Sequence, residues 1–307
     1  MAIRNPQAPS AVVMIRPHHF CPNPQTLSDN AFQINVTEAN LDLSALAFQQ
    51  VSNAAAELQK NGIHVHIFED EGHDTPDSVF PNNWFSTHPG GHVAIYPMFA
   101  ANRRKEKRVD VIDMLKSHYR VQDVVDYSGL EEDQIFLEGT GAMVLDHVDR
   151  IAYATQSKRC NPLVLERFCT HFNYEPMLFE AFDKHDTAVY HSNVLMCIGS
   201  EFVMIGLDMI HEQKRRDEII KRIAESGRKL ISLSQQQIGE FCGNAIELQC
   251  KNEPILALST RAYAALNATQ LTVLEESVRL LPLDVSAIES AGGSVRCMLA
   301  GIHLSAR

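Results

Sequence analysis

Short apolar runs alternate along the chain with segments whose apolar residues recur at helical spacing. Residues 11–15 (Ala-Val-Val-Met-Ile) predict a buried strand that stops at Arg16-Pro17, because proline has no amide to donate. Residues 43–61 predict a helix, with Gly62 as the left-handed residue that caps it. Residues 64–68 and 92–96 are the next strands, and residues 104–118 are helical. Residues 142–145 and 151–154 flank the polar Asp146-His-Val-Asp-Arg150 and predict a hairpin. A helix over 162–172 follows, then strands over 188–190, 194–197 and 202–206, a helix over 215–225 and a strand over 229–233. Strands over 245–248, 255–258 and 299–304, with a helix over 261–276, complete the set. The order strand, strand, helix, strand recurs, although the units share too little sequence to prove a repeat. The alternation predicts an α/β fold with short crossovers, and the hairpins inside each unit predict mixed sheets. No linker or change of composition interrupts residues 1–307, which read as a single domain.

Composition narrows the function. A chain of 307 residues, 45% hydrophobic, can bury a large core. The net charge of −11 argues against nucleic acid and against an anionic membrane surface, while a local arginine still allows an anionic substrate group. No apolar run is long enough to span a bilayer, and Met1-Ala-Ile-Arg-Asn-Pro lacks the apolar core of a signal peptide. The seven cysteines are scattered and odd in number with no CxxC pair, and the 14 histidines show no HExxH spacing. Free thiols in a reducing cytoplasm, with neither metal nor cofactor, are therefore expected. A homo-oligomer is left open.

Four segments place chemistry-bearing residues at turns that border apolar runs, where α/β enzymes carry function. Cys297 closes Ala291-Gly-Gly-Ser-Val-Arg-Cys297. The glycine pair permits a positive φ or a close approach to substrate, and Arg296 favours the thiolate. Tyr190-His-Ser-Asn-Val194 puts His191 between two apolar segments, as a satisfied core histidine or a catalyst. Glu138, in Phe136-Leu-Glu-Gly-Thr-Gly-Ala142, is either a turn residue or the carboxylate that orients an imidazole. Thr75-Pro-Asp-Ser-Val-Phe-Pro-Asn-Asn-Trp84 holds Asp77, Asn82, Asn83 and the only tryptophan, and read alone is equally an Asx turn. A thiol needs a proton acceptor and a histidine needs an orienting carboxylate, so the Cys, His and Glu together suggest nucleophilic catalysis.

These segments, in this order, resemble the pentein superfamily of guanidino-group-modifying enzymes over nearly the whole chain. Pro76-Asp-Ser-Val-Phe80 is similar to the segment of dimethylarginine dimethylaminohydrolases that carries a substrate-binding Asp. Glu138-Gly-Thr-Gly141 resembles the acidic-Gly-Gly motif, His191-Ser-Asn193 the His-x-Asp motif, and Cys297 the C-terminal nucleophile. Ala154-Thr-Gln-Ser-Lys-Arg-Cys-Asn161 resembles the stretch whose arginine binds the substrate α-carboxylate, which implicates Arg159. The resemblance implies an α/β propeller of about five ββαβ units around a pseudo-fivefold axis, with the substrate in a central channel.

The departures are informative too. Asn82-Asn83 and Asn193 stand where deiminases usually carry carboxylates. A guanidinium has only donors, whereas a ureido group also has a carbonyl that a carboxamide can bind. The chain is thus similar to bacterial citrulline-utilisation hydrolases, implying conversion of citrulline to ornithine, ammonia and carbon dioxide, with arginine dihydrolase or deiminase as alternatives. The implied mechanism has Cys297 attack, His191 shuttle protons and Glu138 orient His191. Asn82, Asn83, Asn193 and Asp77 bind the ureido end, and Arg159 binds the carboxylate. Arg16, Asn30 and Asn244 are further channel candidates, each also readable as a turn or cap. The polar stretch 23–39 is a candidate lid. Retention of the Cys, His and Glu argues against the non-catalytic pentein-fold binding proteins, one of them a ribosome anti-association factor. Nothing in the sequence supplies the acceptor site an amidinotransferase needs.

Overall fold

The computed structural model describes residues 7–33, 41–251 and 253–307. Part of the candidate lid, residues 34–39, lies outside the described residues. The first strand, β1 (Ala11–Pro17), runs parallel to β2 (His64–Asp70), with helix Leu41–Lys60 crossing between them. β1 does not stop at Arg16-Pro17 as expected. Its parallel pairing with β2 continues to Pro17, and its other neighbour covers only Val12 and Val13, so no ladder bond is lost on that side. The crossover helix presents Ala47, Val51, Ala54 and Leu58 inward at spacings of three and four, all at most 3% exposed. Each such Val or Leu contributes about 1.5–3 kcal/mol on burial.

The same plan then repeats four times. β3 (Phe85–His88) and β4 (His92–Ile95) form an antiparallel pair, and helix Val109–His118 leads to β5 (Asp123–Asp126), parallel to β4. β6 (Met143–Asp146) and β7 (Ile151–Thr155) form the expected hairpin, with helix Pro162–Phe172 leading to β8 (Glu175–Phe179). β9 (Met196–Ile198) and β10 (Phe202–Ile205) are followed by helix Gln213–Glu225 and β11 (Lys229–Ser232). β12 (Ile246–Gln249), β13 (Pro254–Ser259) and β14 (Arg279–Leu283) complete the fifth sheet. The last strand, β15 (Ala300–Gly301), pairs antiparallel with β1 and so completes the first unit. Five three-stranded mixed sheets result, as the recurring pattern predicts.

Several boundaries differ from the sequence reading. The helix expected over 104–118 is a 3-10 turn at Arg103–Glu106 and a separate helix from Val109. The one expected over 261–276 breaks into Thr260–Ala265 and Ala268–Glu275, because Asn267 and Gln270 form a capping box in mid-run. Residues 188–190 make only an isolated bridge at Ala188, and the strand over 299–304 shortens to Ala300–Gly301.

One regularity positions the site. Each sheet's first strand is preceded by a short helical turn: Pro81–Asn83 before β3, Gly139–Ala142 before β6, Ser192–Leu195 before β9, residues 241–244 before β12 and Val295–Met298 before β15. These turns pack on one another, so one end of the sheet array carries residues from every unit. The strand expected over 194–197 therefore begins in a helical turn and becomes extended only at Met196.

Candidate active site

A small cavity lies among these turns, lined by Cys297, His191, Asp77, Asn83, Arg159 and Asn30 of the candidate residues. Arg103, Phe80 and Tyr190 share the wall.

Cys297 lies in the turn Val295–Met298, 2% exposed. Gly292 precedes it at φ +81°, the positive φ expected of the glycine pair, and a Cβ on Gly293 would lie 2.7 Å from the Phe80 ring. Cys297 Sγ accepts from Asn193 Nδ2 at 3.3 Å and from Asn244 Nδ2 at 3.2 Å. Burial pushes the thiol pKa up. The carboxamides and Arg296 pull it down but do not outweigh burial, so Arg296 alone does not make a thiolate.

Behind His191 stands Glu138, wholly buried. His191 Nε2 lies 2.8 Å from Glu138 Oε2. Burial pushes His191 down to about 4 although Glu138 opposes it, so the imidazole is neutral. Burial also acts to raise the Glu138 carboxyl, but Arg159, the hydrogen bond with His191 and Arg103 hold it below the usual carboxylate range. Glu138 Oε1 accepts from the Phe99 amide at 3.0 Å, and Oε2 lies 3.5 Å from both Arg103 Nη1 and Arg159 Nη1. Gly141 is required by space: a Cβ there would lie 2.1 Å from Asn83 Nδ2 and 2.9 Å from His191 Nδ1.

Arg159 forks onto Asp29 at 2.8 and 3.1 Å and lies over the Tyr190 ring, 4.7 Å from its centroid. Arg103 forks onto Glu106 at 2.9 and 3.0 Å and reaches Asp77 at 3.6 Å. Asp77 Oδ2 accepts from Asn23 Nδ2 at 2.8 Å, whereas its buried Oδ1 has no partner among the described residues. Burial pushes the Asp77 pKa up, against Arg103, Asn23 and Arg159. Four carboxyl groups (Asp29, Asp77, Glu106, Glu138) thus surround two guanidinium groups, and burial raises Glu106 as well as Asp77, to about 8 despite Arg103. A neutral thiol and a neutral imidazole face the same cavity.

Four sequence candidates are placed elsewhere. Arg16 is not in this cavity. It pairs with Glu69, donates to Ser52 Oγ at 3.1 Å and lies over Phe48, because β1 carries it on past the point where the strand was expected to end. Asn244 is a support beneath Cys297: its Oδ1 accepts from the amides of Ser294 (3.1 Å) and Cys297 (3.3 Å), and its Nδ2 also reaches Asn193 O at 2.8 Å. Asn193 bonds Sγ from outside the cavity wall. Asn82 is fully buried off that wall, and neither of its side-chain polar atoms has a partner among the described residues. Asn30 reaches the wall while donating to Ala291 O at 3.2 Å. Sequence reasoning missed Arg103, Glu106, Asp29 and Asn23. The run Arg103-Arg-Lys-Glu-Lys-Arg108 looks like a solvated face, and only the i,i+3 spacing of Arg103 and Glu106 hints at a buried pair.

Among the described residues no His, Cys, Asp and Glu group could hold a metal, and no helix is long and apolar enough to cross a membrane.

Solved structures share this architecture. The N-terminal domain of ArgZ, an arginine dihydrolase from the ornithine-ammonia cycle in cyanobacteria, was solved as a cysteine-to-serine mutant bound to substrate. It matches with a TM-score of 0.73 at 15% identity, over 95% of this chain and 97% of that one. AgrE, in a ternary complex with ornithine and NAD+, matches with a TM-score of 0.74 at 16% identity, over 97% of this chain and 40% of that one. DDAH from Pseudomonas aeruginosa, a cysteine-to-serine mutant complexed with citrulline, gives 0.64 at 13% identity, over 96% and 99% of the two chains. The chain thus spans 40% of full-length ArgZ and AgrE, and at these identities the likeness shows the fold. No curated protein sequence matches the chain. Residues 16–304 match the family model for eukaryotic N,N dimethylarginine dimethylhydrolases, and the chain belongs to that family, in the pentein superfamily.

Proposed function

We propose that the protein is a cysteine hydrolase that cleaves C–N bonds at the guanidinium carbon of an arginine-like amino acid. The observation that carries this reading is the set of groups on the cavity wall: the Cys297 thiol, the neutral imidazole of His191 and the buried Oδ1 of Asp77, which has no partner among the described residues. Burial raises the thiol pKa of Cys297. A substrate cation brings positive charge beside four carboxyl groups that share two guanidinium groups. Placed beside Sγ it lowers the thiol pKa, and the free Oδ1 of Asp77 accepts one of its N–H groups.

In the mechanism, the Cys297 thiol gives its proton to the neutral imidazole of His191 as Sγ bonds to the guanidinium carbon, and Glu138 holds the charged imidazole. His191 passes that proton to the departing nitrogen, whose bond to the carbon breaks, and it leaves as ammonia or an amine. The neutral imidazole then takes a proton from water, whose oxygen attacks the same carbon and expels Sγ, leaving a ureido product. A second round on that product releases ammonia and leaves an S-carbamoyl adduct on Cys297. Water converts this to a carbamate, which decomposes to ornithine and carbon dioxide. Asn193 Nδ2 and Asn244 Nδ2 stabilise Sγ whenever it is an anion. The known uses of the relatives, with arginine dihydrolysis for ArgZ and citrulline bound to DDAH, accord with this reading.

A ureido substrate such as citrulline, the expectation from sequence, is favoured by the carboxamides of Asn83 and Asn30 in the cavity wall. Ornithine, citrulline and ammonia release from L-arginine, L-citrulline and N,N-dimethylarginine separates the readings, with Cys297→Ser as control. Turnover of arginine or its methylated form supports the cationic substrate. Turnover of citrulline alone replaces it with the ureido reading. Activity retained in Cys297→Ser refutes the covalent route.

A further inference from the structure

A second cavity, with about 50 Å³ open to water-sized groups, lies beside the strands that follow the catalytic turns. Its wall takes residues from the first strand of all five sheets, among them Ser86 of β3, Leu145 of β6, Cys197 of β9, Glu247 of β12 and Gly301 of β15. It therefore shares the central axis of the fold with the catalytic cavity. Arg296, which lies next to the nucleophile in the turn Val295–Met298, lines this second cavity and not the first.

Arg296 is the exception among the inner arginines. Arg103, Arg159 and Arg228 each have a carboxylate oxygen within 2.9 Å, from Glu106, Asp29 and Asp146 respectively. Arg296 donates from Nη1 to Leu299 O at 3.0 Å, and among the described residues it has no carboxylate partner. The ionisable groups acting on it are the thiols Cys297 and Cys197, and its own charge acts on His147. A partly buried cation without a counter-charge is costly, and a ligand that supplies the charge recovers that cost. The rest of the wall is compatible. His147 engages Tyr174 OH through Nδ1 at 2.8 Å. Glu247, the wall's carboxylate, gives Oε2 to the amide and hydroxyl of Ser200, both at 2.7 Å.

We propose that this axial cavity binds a small oxyanion, a carboxylate or phosphate group, with Arg296 as its charge partner, and that occupancy slows the neighbouring nucleophile. The charge of Arg296 favours the Cys297 thiolate, and an anion paired with Arg296 cancels that influence. By linkage, thiolate formation weakens anion binding by the same factor. The site is independent of which guanidino or ureido compound is turned over.

The test needs no substrate. Alkylation of Cys297 by iodoacetamide is followed on its own peptide, at constant ionic strength in chloride, with inorganic phosphate or acetate added. Saturable slowing on the order of tenfold is expected, since unit charges ~10 Å apart at an effective dielectric near 20 interact by that factor. Slowing by phosphate alone identifies a phosphate group, and slowing by acetate as well identifies a carboxylate. Arg296→Gln abolishes the response to both. Because that variant could misfold, arsenate is also soaked into crystals of the unaltered protein and located by anomalous scattering, with a peak beside Arg296 expected. No slowing, slowing that persists in Arg296→Gln, or arsenate found only between Arg103 and Arg159 overturns the proposal.

Discussion

Glu138→Gln is the sharpest probe of the site, because the substitution keeps shape and changes only charge and donor count. The carboxylate uses both oxygens: Oε1 for the Phe99 amide, Oε2 for His191 and, at 3.5 Å, for two arginines. A carboxamide has one oxygen. Either the Phe99 amide faces an NH₂ group, or the imidazole N–H, Arg103 and Arg159 all do. Stability falls toward the lower end of the ~3–5 kcal/mol expected for breaking a buried pair, since Arg103 retains Glu106 and Arg159 retains Asp29. The kinetic effect is larger. Proton transfer to His191 creates an imidazolium whose charge centre lies ~4 Å from that of the carboxylate. At an effective dielectric near 20 this is about 4 kcal/mol, or roughly 10³ in rate. The assay is single-turnover kinetics on whichever of arginine and citrulline the wild type consumes, with thermal unfolding run alongside. A folded variant whose rate stays within tenfold of wild type would refute the assignment of Glu138 as the partner of the charged imidazole.

Three further outcomes follow from the same geometry. Gly141→Ala drives a methyl group into Asn83 and His191, so it costs about 1–3 kcal/mol of stability by overpacking and on the order of 10² in kcat by displacing the imidazole; unchanged kcat and melting temperature would contradict the close approach. Asn244→Ala removes a donor to Sγ and leaves the Ser294 and Cys297 amides without their side-chain acceptor, so kcat falls at least tenfold with little change in KM, while Asn244→Asp restores the acceptor but shifts Cys297 alkylation to higher pH. His191 binds a proton near 6.5 when unfolded but only at about 4 when folded, so its contribution to stability is complete above pH 6.5 and is lost as pH falls toward 4; denaturant unfolding should show a steeper decline across that window in wild type than in His191→Asn.

The units and their order were legible because they rest on local signals. Pro162 at a helix start with Asn161 as its cap, and Asn173 in the left-handed conformation at its end, fix one crossover to the residue. Of the third strands of the repeating sheets, only β11 was legible, as the strand over 229–233. β5, β8 and β14 are edge strands, half exposed, and β8 and β14 contain Pro176 and Pro282, which only an unpaired edge tolerates. The cavity was legible in its Cys, His and Asp because turn motifs carry them. Its second layer was not: Arg103, Glu106, Asp29 and Asn23 lie far apart in sequence and meet only when the turns converge. The asparagines also changed meaning. Their amides looked like ligands for a neutral substrate, yet Asn193 and Asn244 spend theirs on Sγ.

Placing one site on turns from separate units has a mechanical consequence. Asn83, Glu138, His191, Asn244 and Cys297 each sit at the mouth of a different sheet, so no local element can hold any two of them in register. Their relative positions depend on contacts between turns: Ser192 Oγ bridging Ala142 O and the Thr155 amide, Asn244 bridging Asn193 O and the Cys297 turn, and Tyr190 OH fixing Gly292 O at 2.6 Å. Closure of the ring by β15 on β1 is what brings the Cys297 turn to the other four. The β15 pairing is short, two residues against Val12 and Val13, so the nucleophile's placement rests more on the turn-to-turn bonds than on its own sheet. Weakening those bonds therefore lowers catalysis before it lowers global stability, whereas cutting into a crossover helix such as Leu41–Lys60 does the reverse.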